Sequence, residues 1–260
     1  MMGYAARKRR DEAMLVKKIH ELAVRRSRYG YRRITVLLRR EGFRVNHKRV
    51  HRIWKAEGLS LPLRRPRRRR AGPAGEIVNK AEHPNHVWSY DFLEDRTERG
   101  GKLRILVIID EYTRECLAVR IAPSIPARAV VDVLEWLFLS RGVPRYLRSD
   151  NGPEFVAKVV QQWLEKSGCR TIFITPGSPW ENGYVESFID KLRDECLNRE
   201  IFRNGREAQV IVETWRQEYN NDSPHSSLGY LTPVEFARQY YGKDRGEGIL
   251  ETPESGTLSL

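Results

Sequence analysis

Val87-Trp88-Ser89-Tyr90-Asp91-Phe92-Leu93 is the stretch whose reading decides the fold. It has strand length and is rich in aromatic and branched residues. A turn follows, Glu98-Arg99-Gly100-Gly101, then a nearly all-apolar run, Leu103 to Ile109, and a third run, Cys116 to Ile121. Connections this short predict an antiparallel meander of three strands, with the apolar run central. Further on, helices and strands alternate. Ala127 to Ser140 reads as a helix with Val130, Val131, Leu134 and Leu137 in its stripe, and Tyr146 to Ser149 as a short strand. Glu154 to Ser167 reads as a helix, Arg170 to Ile174 as a strand, and about Asn182 to Arg199 as one long helix.

Three antiparallel strands followed by alternating helices and strands is the order of a ribonuclease-H-like α/β core. In that arrangement the first and fourth strands are neighbours. Asp91, inside the first, can then meet Asp150, which follows the fourth in Arg148-Ser149-Asp150-Asn151-Gly152. Glu186, in the last helix, can reach the same place. Three hard oxygen donors suit Mg²⁺ or Mn²⁺ rather than zinc. Two such ions can serve an in-line displacement at phosphorus. Three other acids compete for the role. Asp110 ends the second strand and reads as a turn or cap residue. Glu181 sits in the Pro/Gly-rich loop Thr175 to Gly183, and Asp190 lies one helical turn beyond Glu186 as a solvated or paired charge. His225 is expected to be structural or to contact DNA. Trp88, Trp163 and Trp215 read as core, and Trp180, beside the loop, as a DNA-contact candidate.

The rest of the chain is dominated by charge. The net formal charge is +13, and residues 1–70 hold 24 Lys/Arg against 5 Asp/Glu, leaving the remainder net negative. A division of this kind suits a polyanion, nucleic acid first, on the N-terminal side. Leu15, Ile19 and Leu22 form one helical stripe, Ile34, Leu37 and Leu38 a second, and Val50, Ile53 and Trp54 a third. Asn46 is placed to cap the third helix and Gly58 to end it. Two short helices around a Gly-containing turn suggest a helix-turn-helix whose outer face shows His47, Lys48, His51, Arg52 and Lys55. His47 and His51 have the spacing of a zinc pair, but no cysteine precedes Cys116, so both read as surface residues. Arg67, Arg68, Arg69 and Arg70 belong to a Pro- and Gly-flanked linker that can track a phosphate backbone or enter a minor groove. The expected divisions are 1–60 for the helix-turn-helix region, 61–82 for the linker, 83–240 for the catalytic core and 241–260 for a flexible tail.

These features resemble one family. Thirty-five residues separate Asp150 from Glu186, and Arg193 follows Glu186 by seven. Tyr219-Asn220 and Pro224-His225-Ser226-Ser227-Leu228-Gly229-Tyr230-Leu231-Thr232-Pro233 complete the pattern. From about Tyr29 to Ala237 the chain is similar to the second-reading-frame (OrfB) DDE transposases of the insertion-sequence-three family, with a retroviral-integrase-type core. The resemblance implies metal-dependent cleavage and strand transfer at mobile-element ends. Asp91 would bridge both ions, Asp150 and Glu186 would each complete one site, and Arg193 would lie near DNA. It further implies a homo-oligomer on DNA, and a possible upstream reading-frame product or fusion.

Other classes are narrowed by composition. No run of about 18 apolar residues is present, so no membrane span is expected. The basic start leads into no apolar stretch and does not read as a secretory signal. Three scattered cysteines without C-x-x-C spacing fit a reducing bacterial cytoplasm. A non-catalytic DNA-binding regulator is the main alternative. A nuclease acting on RNA hybrids is a third, against which the basic arm and the tail motif both count.

Overall fold

The computed structural model describes residues 11–60, 79–150, 152, 157–175 and 179–244. Its backbone divides into two units, one of residues 1–74 with 191–200, the other of 75–190 with 201–260. The arginine run Arg67–Arg70 and the 241–260 tail beyond Asp244 lie outside the described residues.

The first unit holds three helices, α1 (Glu12–Arg25), α2 (Tyr31–Arg40) and α3 (His47–Ala56). Leu15, Ile19 and Leu22 pack with Ile34, Leu38, Val50, Ile53 and Trp54 in one apolar core, as the periodicity predicts. Asn46 accepts the Arg49 amide at 2.8 Å and so satisfies one orphan donor at the start of α3. Gly42, at φ +87°, reverses the chain between α2 and α3, a conformation that costs a residue with a Cβ. Residues 191–200 join this unit through Arg28–Asp194 and Arg33–Glu195 ion pairs at 3.4 and 3.3 Å.

The second unit is built on a five-stranded sheet of order β3-β2-β1-β4-β5. The strands are β1 (Val87–Arg96), β2 (Lys102–Asp110), β3 (Cys116–Ala122), β4 (Tyr146–Ser149) and β5 (Arg170–Phe173). The first three pair antiparallel, whereas β4 pairs parallel with both β1 and β5. Helices α4 (Ala127–Arg141) and α5 (Lys158–Lys166) cover one face. There Trp88, Tyr90, Leu106, Ile108 and Leu147 meet Val130, Leu134, Leu137, Val160 and Leu164. Strand alternation sends Ser89 and Asp91 to the other side of β1.

Three features depart from the sequence reading. The last predicted helix is shorter, α6 (Gly183–Glu195), with a 3-10 turn before it and another at Leu197–Arg199. Cys196, at φ −128° and ψ −71°, breaks it. Cys196 and Leu197 are both buried at this break. Two further helices are new, α7 (Gly205–Asn221) and α8 (Pro233–Asp244). Helix α8 starts with a reciprocal cap, in which the Glu235 carboxylate accepts the Thr232 amide and the Thr232 hydroxyl accepts the Glu235 amide.

Helix α7 solves a problem set by the sheet. Strand β3 is an edge, and unpaired edge groups need partners. Gln209 accepts the Ile121 amide at 2.7 Å and donates to the Val119 carbonyl at 3.1 Å. Eleven residues on, Asn220 accepts the Cys116 amide and donates to the Cys116 carbonyl, both at 2.9 Å. Arg216 donates to that carbonyl as well, at 2.7 Å. One helix face thus stands in for a sixth strand. Asn220→Ala, which leaves the buried Cys116 amide without its acceptor, is expected to cost about 1–3 kcal/mol in urea unfolding.

Candidate functional site: a carboxylate cluster at the β1–β4 junction

Strand register brings the first two carboxylates level. Ser89 pairs with Arg148 across β1 and β4. Continuing that register by two residues sets Asp91 beside Asp150, just past the end of β4. Asp150 accepts the Gly152 amide at 2.9 Å, which folds the backbone back at this point. Glu186 lies in the first turn of α6.

The three acids feel one another electrostatically. Burial, and then the negative charges of Asp150 and Glu186, push the Asp91 carboxyl up from 3.8 to about 6. The Phe92 amide, donated to Asp91 at 2.7 Å, pulls the other way without prevailing. Among the described residues, no three His, Cys, Asp or Glu side chains already stand close enough to ligate one ion. Asp150 and Glu186 each repel the Asp91 charge, and carboxylate oxygens are donors of the kind that a hard divalent cation takes.

The competing acids are otherwise engaged. Asp110 is buried at the far end of β2, accepting the Asn85, Tyr112 and Thr113 amides at 2.7, 2.8 and 2.9 Å. It is a turn-capping residue. Glu181 is buried and accepts the Thr175 amide at 2.9 Å, bracing the ends of the loop between them. Asp190 is exposed.

Next to the cluster lies a buried ion pair that sequence reasoning missed. The Arg148 Nε donates to Glu111 Oε1 at 2.8 Å, with both side chains fully buried. The Ser89 hydroxyl donates to the same Glu111 oxygen. Burial pushes the Glu111 carboxyl up, while Arg148 and Ser89 pull it down. An arginine inside a four-residue, otherwise buried strand two positions before Asp150 was the available signal.

Of the other site expectations, His225 is buried with its ring edge-on to Tyr219 at 4.8 Å, a packing role. Trp88, Trp163 and Trp215 belong to the interior. The Trp180 side chain lies outside the described residues. In the first unit, His47, Lys48 and Lys55 are exposed on α3. His51 is half-buried beside Tyr31, ring centroids 4.4 Å apart. Arg52 is exposed but paired with Glu12 at 2.9 Å, and Arg49 is tied to Asp11 at 2.7 Å. Arg193 is exposed on α6.

Comparison with known proteins gives this geometry its context. An integrase core domain family matches residues 81–179, a second integrase core domain family residues 167–233, and an HTH-like domain family residues 7–69. An insertion element IS407 protein of 31.7 kDa from Burkholderia multivorans, named as uncharacterized, is 37% identical over 245 residues. That alignment spans 92% of this chain and 86% of the relative. Transposase InsF of insertion sequence IS3A from Escherichia coli K12 is 29% identical over 223 residues, 81% of this chain and 77% of the relative. The chain belongs to the insertion-sequence-three family of DDE transposases.

Its activity class follows from that membership: DNA cleavage and strand transfer at mobile-element ends. The helix-turn-helix region followed by a ribonuclease-H-like core is the architecture of the transposase. The fold also matches a simian T-cell lymphotropic virus intasome in complex with the PP2A regulatory subunit B56 gamma. The TM-score is 0.53 at 15% identity, over 93% of this chain and 80% of that one.

The charge array has a measurable consequence. A carboxyl whose pKa is higher in the fold than in the unfolded chain binds its proton more tightly when folded. Its contribution to stability is complete below about pH 4 and lost as pH rises through about 6. In chelator at pH 7, Asp91→Asn is therefore expected to stabilise the metal-free transposase by about 1–2 kcal/mol, after allowing for solvent screening. Denaturant titrations between pH 4 and 7 should show the gain shrinking toward the acid end.

Proposed function

We propose that Asp91, Asp150 and Glu186 are the catalytic triad of this transposase and hold two divalent ions, Mg²⁺ or Mn²⁺. The observation that carries this reading is the half-buried Asp91 carboxyl, facing two further negative charges. Like charges gathered in a partly buried place are costly without a cation, and paired hard donors suit these metals. When bound, the ions supply activation of the attacking oxygen and stabilisation of the leaving one in an in-line displacement.

The chain's own residues supply positions and charge. Asp91, Asp150 and Glu186 would hold the ions, with Asp91 as the shared donor and Asp150 and Glu186 each completing one site. Water would be the first nucleophile, cleaving a phosphodiester to free a 3′-hydroxyl. That hydroxyl would then attack a second phosphodiester, the new P–O bond forming as the bond to that strand's own 3′-oxygen breaks, without a covalent protein intermediate. The exposed His47, Lys48 and Lys55 of α3, with the Arg67–Arg70 run, grip the element ends through phosphates and groove edges. Arg52 can join them by leaving Glu12, and the exposed Arg193 contacts DNA near the triad. Joining two ends calls for a multimer on DNA, and an upstream reading-frame product or fusion as partner. A bacterial cytoplasm is the proposed compartment, in keeping with three free, buried cysteines. No helix among the described residues is long and apolar enough to cross a membrane.

The direct test is strand cleavage and joining on labelled DNA carrying the flanking element ends, with Mg²⁺ or Mn²⁺. Asp91→Asn, Asp150→Asn and Glu186→Gln are each expected to abolish both steps while keeping DNA binding. Activity persisting in any of the three removes that residue from the triad. Binding without cutting by the unaltered protein under every condition would favour the DNA-binding regulator.

A further inference from the structure

Each of the three carboxylates stands on or beside a different element, and one short turn contacts a residue two positions before each of them. The β2–β3 connection runs Asp110-Glu111-Tyr112-Thr113-Arg114. Glu111 takes hydrogen bonds from Ser89 of β1 and Arg148 of β4. Each of those residues stands two positions before a carboxylate, Asp91 and Asp150, and the two are register partners. The Glu111 amide also donates to the Val87 carbonyl at 3.0 Å, so backbone and side chain fix the turn on β1 together. At the other end of the turn, the Arg114 guanidinium lies 3.7 Å from the centroid of the Tyr184 ring. Tyr184 is in the first turn of α6, two residues before Glu186. The same guanidinium donates to the Glu111 carbonyl. Tyr112, between them, packs on Phe236 and Tyr240 of α8 at 5.4 and 5.7 Å.

Two details mark this as more than a satisfied loop. Arg114 has φ +65°, a left-handed conformation unfavourable for a side chain of its size, and such strain persists only where the surroundings over-determine it. The Arg148–Glu111 pair carries two charges into a fully buried place, where desolvation offsets much of their attraction. Apolar side chains would stabilise the sheet as well, but they would not fix direction.

We propose that the 110–114 turn is the positioning element of the carboxylate site. Glu111 keeps the Asp91 and Asp150 strands level. Arg114, through Tyr184, holds the start of the helix that presents Glu186. Neither residue touches metal or DNA. The inference rests on the assignment of the triad above, and it adds the residues that give the triad its geometry. Losing such outer partners typically weakens metal binding by roughly 10- to 100-fold.

The test reads metal binding directly, by titrating the full-length protein with Mn²⁺ and following free Mn²⁺ by paramagnetic resonance, with Tm measured alongside. Arg114→Ala and Tyr184→Leu are expected to weaken Mn²⁺ binding by about tenfold while remaining folded. Arg114→Lys and Tyr184→Phe, which keep a cation over a ring, should recover most of that loss. Because removing one partner of a buried pair can unfold the domain, Glu111 is tested in the double variant Glu111→Leu/Arg148→Met. It should keep its Tm and bind Mn²⁺ about tenfold more weakly. Folded variants that bind Mn²⁺ as tightly as the unaltered protein overturn the positioning role. Asp150→Asn separates the two levels of the argument. If it loses Mn²⁺ binding while the turn variants do not, only the positioning proposal fails. If it binds like the unaltered protein, or that protein binds none, the triad assignment falls and the positioning role with it.

Discussion

A half-buried carboxylate, Asp91, is repelled by two exposed ones, Asp150 and Glu186, and the second unit has to hold it against that repulsion. Asp91 shows the tension most clearly, since burial and two neighbouring negative charges all oppose its ionisation. A fold cannot relax this by moving the acids apart without losing the site. It has to hold them from behind, with interactions strong enough to resist the repulsion and far enough away to leave the oxygens open. Parallel pairing of β1 with β4 does part of this, because a ladder with fixed register sets two strand positions side by side. The buried Arg148–Glu111 pair, with Ser89, repeats the link in side chains directly behind the aspartates.

The same economy appears at the sheet's edge. Strand β3 needs hydrogen-bond partners on its outer side, and α7 provides them from Gln209, Arg216 and Asn220. Its apolar side meets α6, where Phe188 packs edge-on to Trp215 and Tyr219 at 5.6 and 5.0 Å. One helix therefore closes the sheet and supports the helix that carries Glu186. Part of the tail motif belongs to this support. Tyr219 and Asn220 end α7, His225 packs on Tyr219, and Thr232 opens α8. These residues are far in sequence from the carboxylates and act on them only through packing.

Much of this was legible in the chain, for reasons specific to each element. All five strands stand out because apolar runs bounded by turns leave few alternatives, and Tyr146–Ser149 is found with the predicted limits. The three N-terminal helices follow from their stripes and from the Asn46 cap. Helix α7 was not predicted, although Asn204 caps it by accepting the Glu207 amide and Ala208, Val212, Trp215 and Tyr219 line its buried face. Only Tyr219 and Asn220, at its end, belong to the tail motif. The break at Cys196 has no local signal, since no Pro or Gly stands between Gly183 and Arg199.

The site divides along the same line. Asp91, Asp150 and Glu186, the proposed triad, are picked out by the family spacing together with the expected fold, which makes β1 and β4 neighbours. The fate of the other acids and bases could not be read in this way. Asp110 and Glu181 look like candidates in one dimension and become cap and brace only once backbone amides converge on them. Glu111, Arg148 and Arg114 look like ordinary turn and strand charges until folding buries one pair and stacks the third on Tyr184. The sequence by itself determined the order of elements and the chemistry of the acidic donors, since both depend on local periodicity and residue type. Which charges are buried, which are paired, and which hold the donors in place was decided by tertiary structure alone. Desolvation and hydrogen-bond geometry depend on residues that only the completed fold makes neighbours.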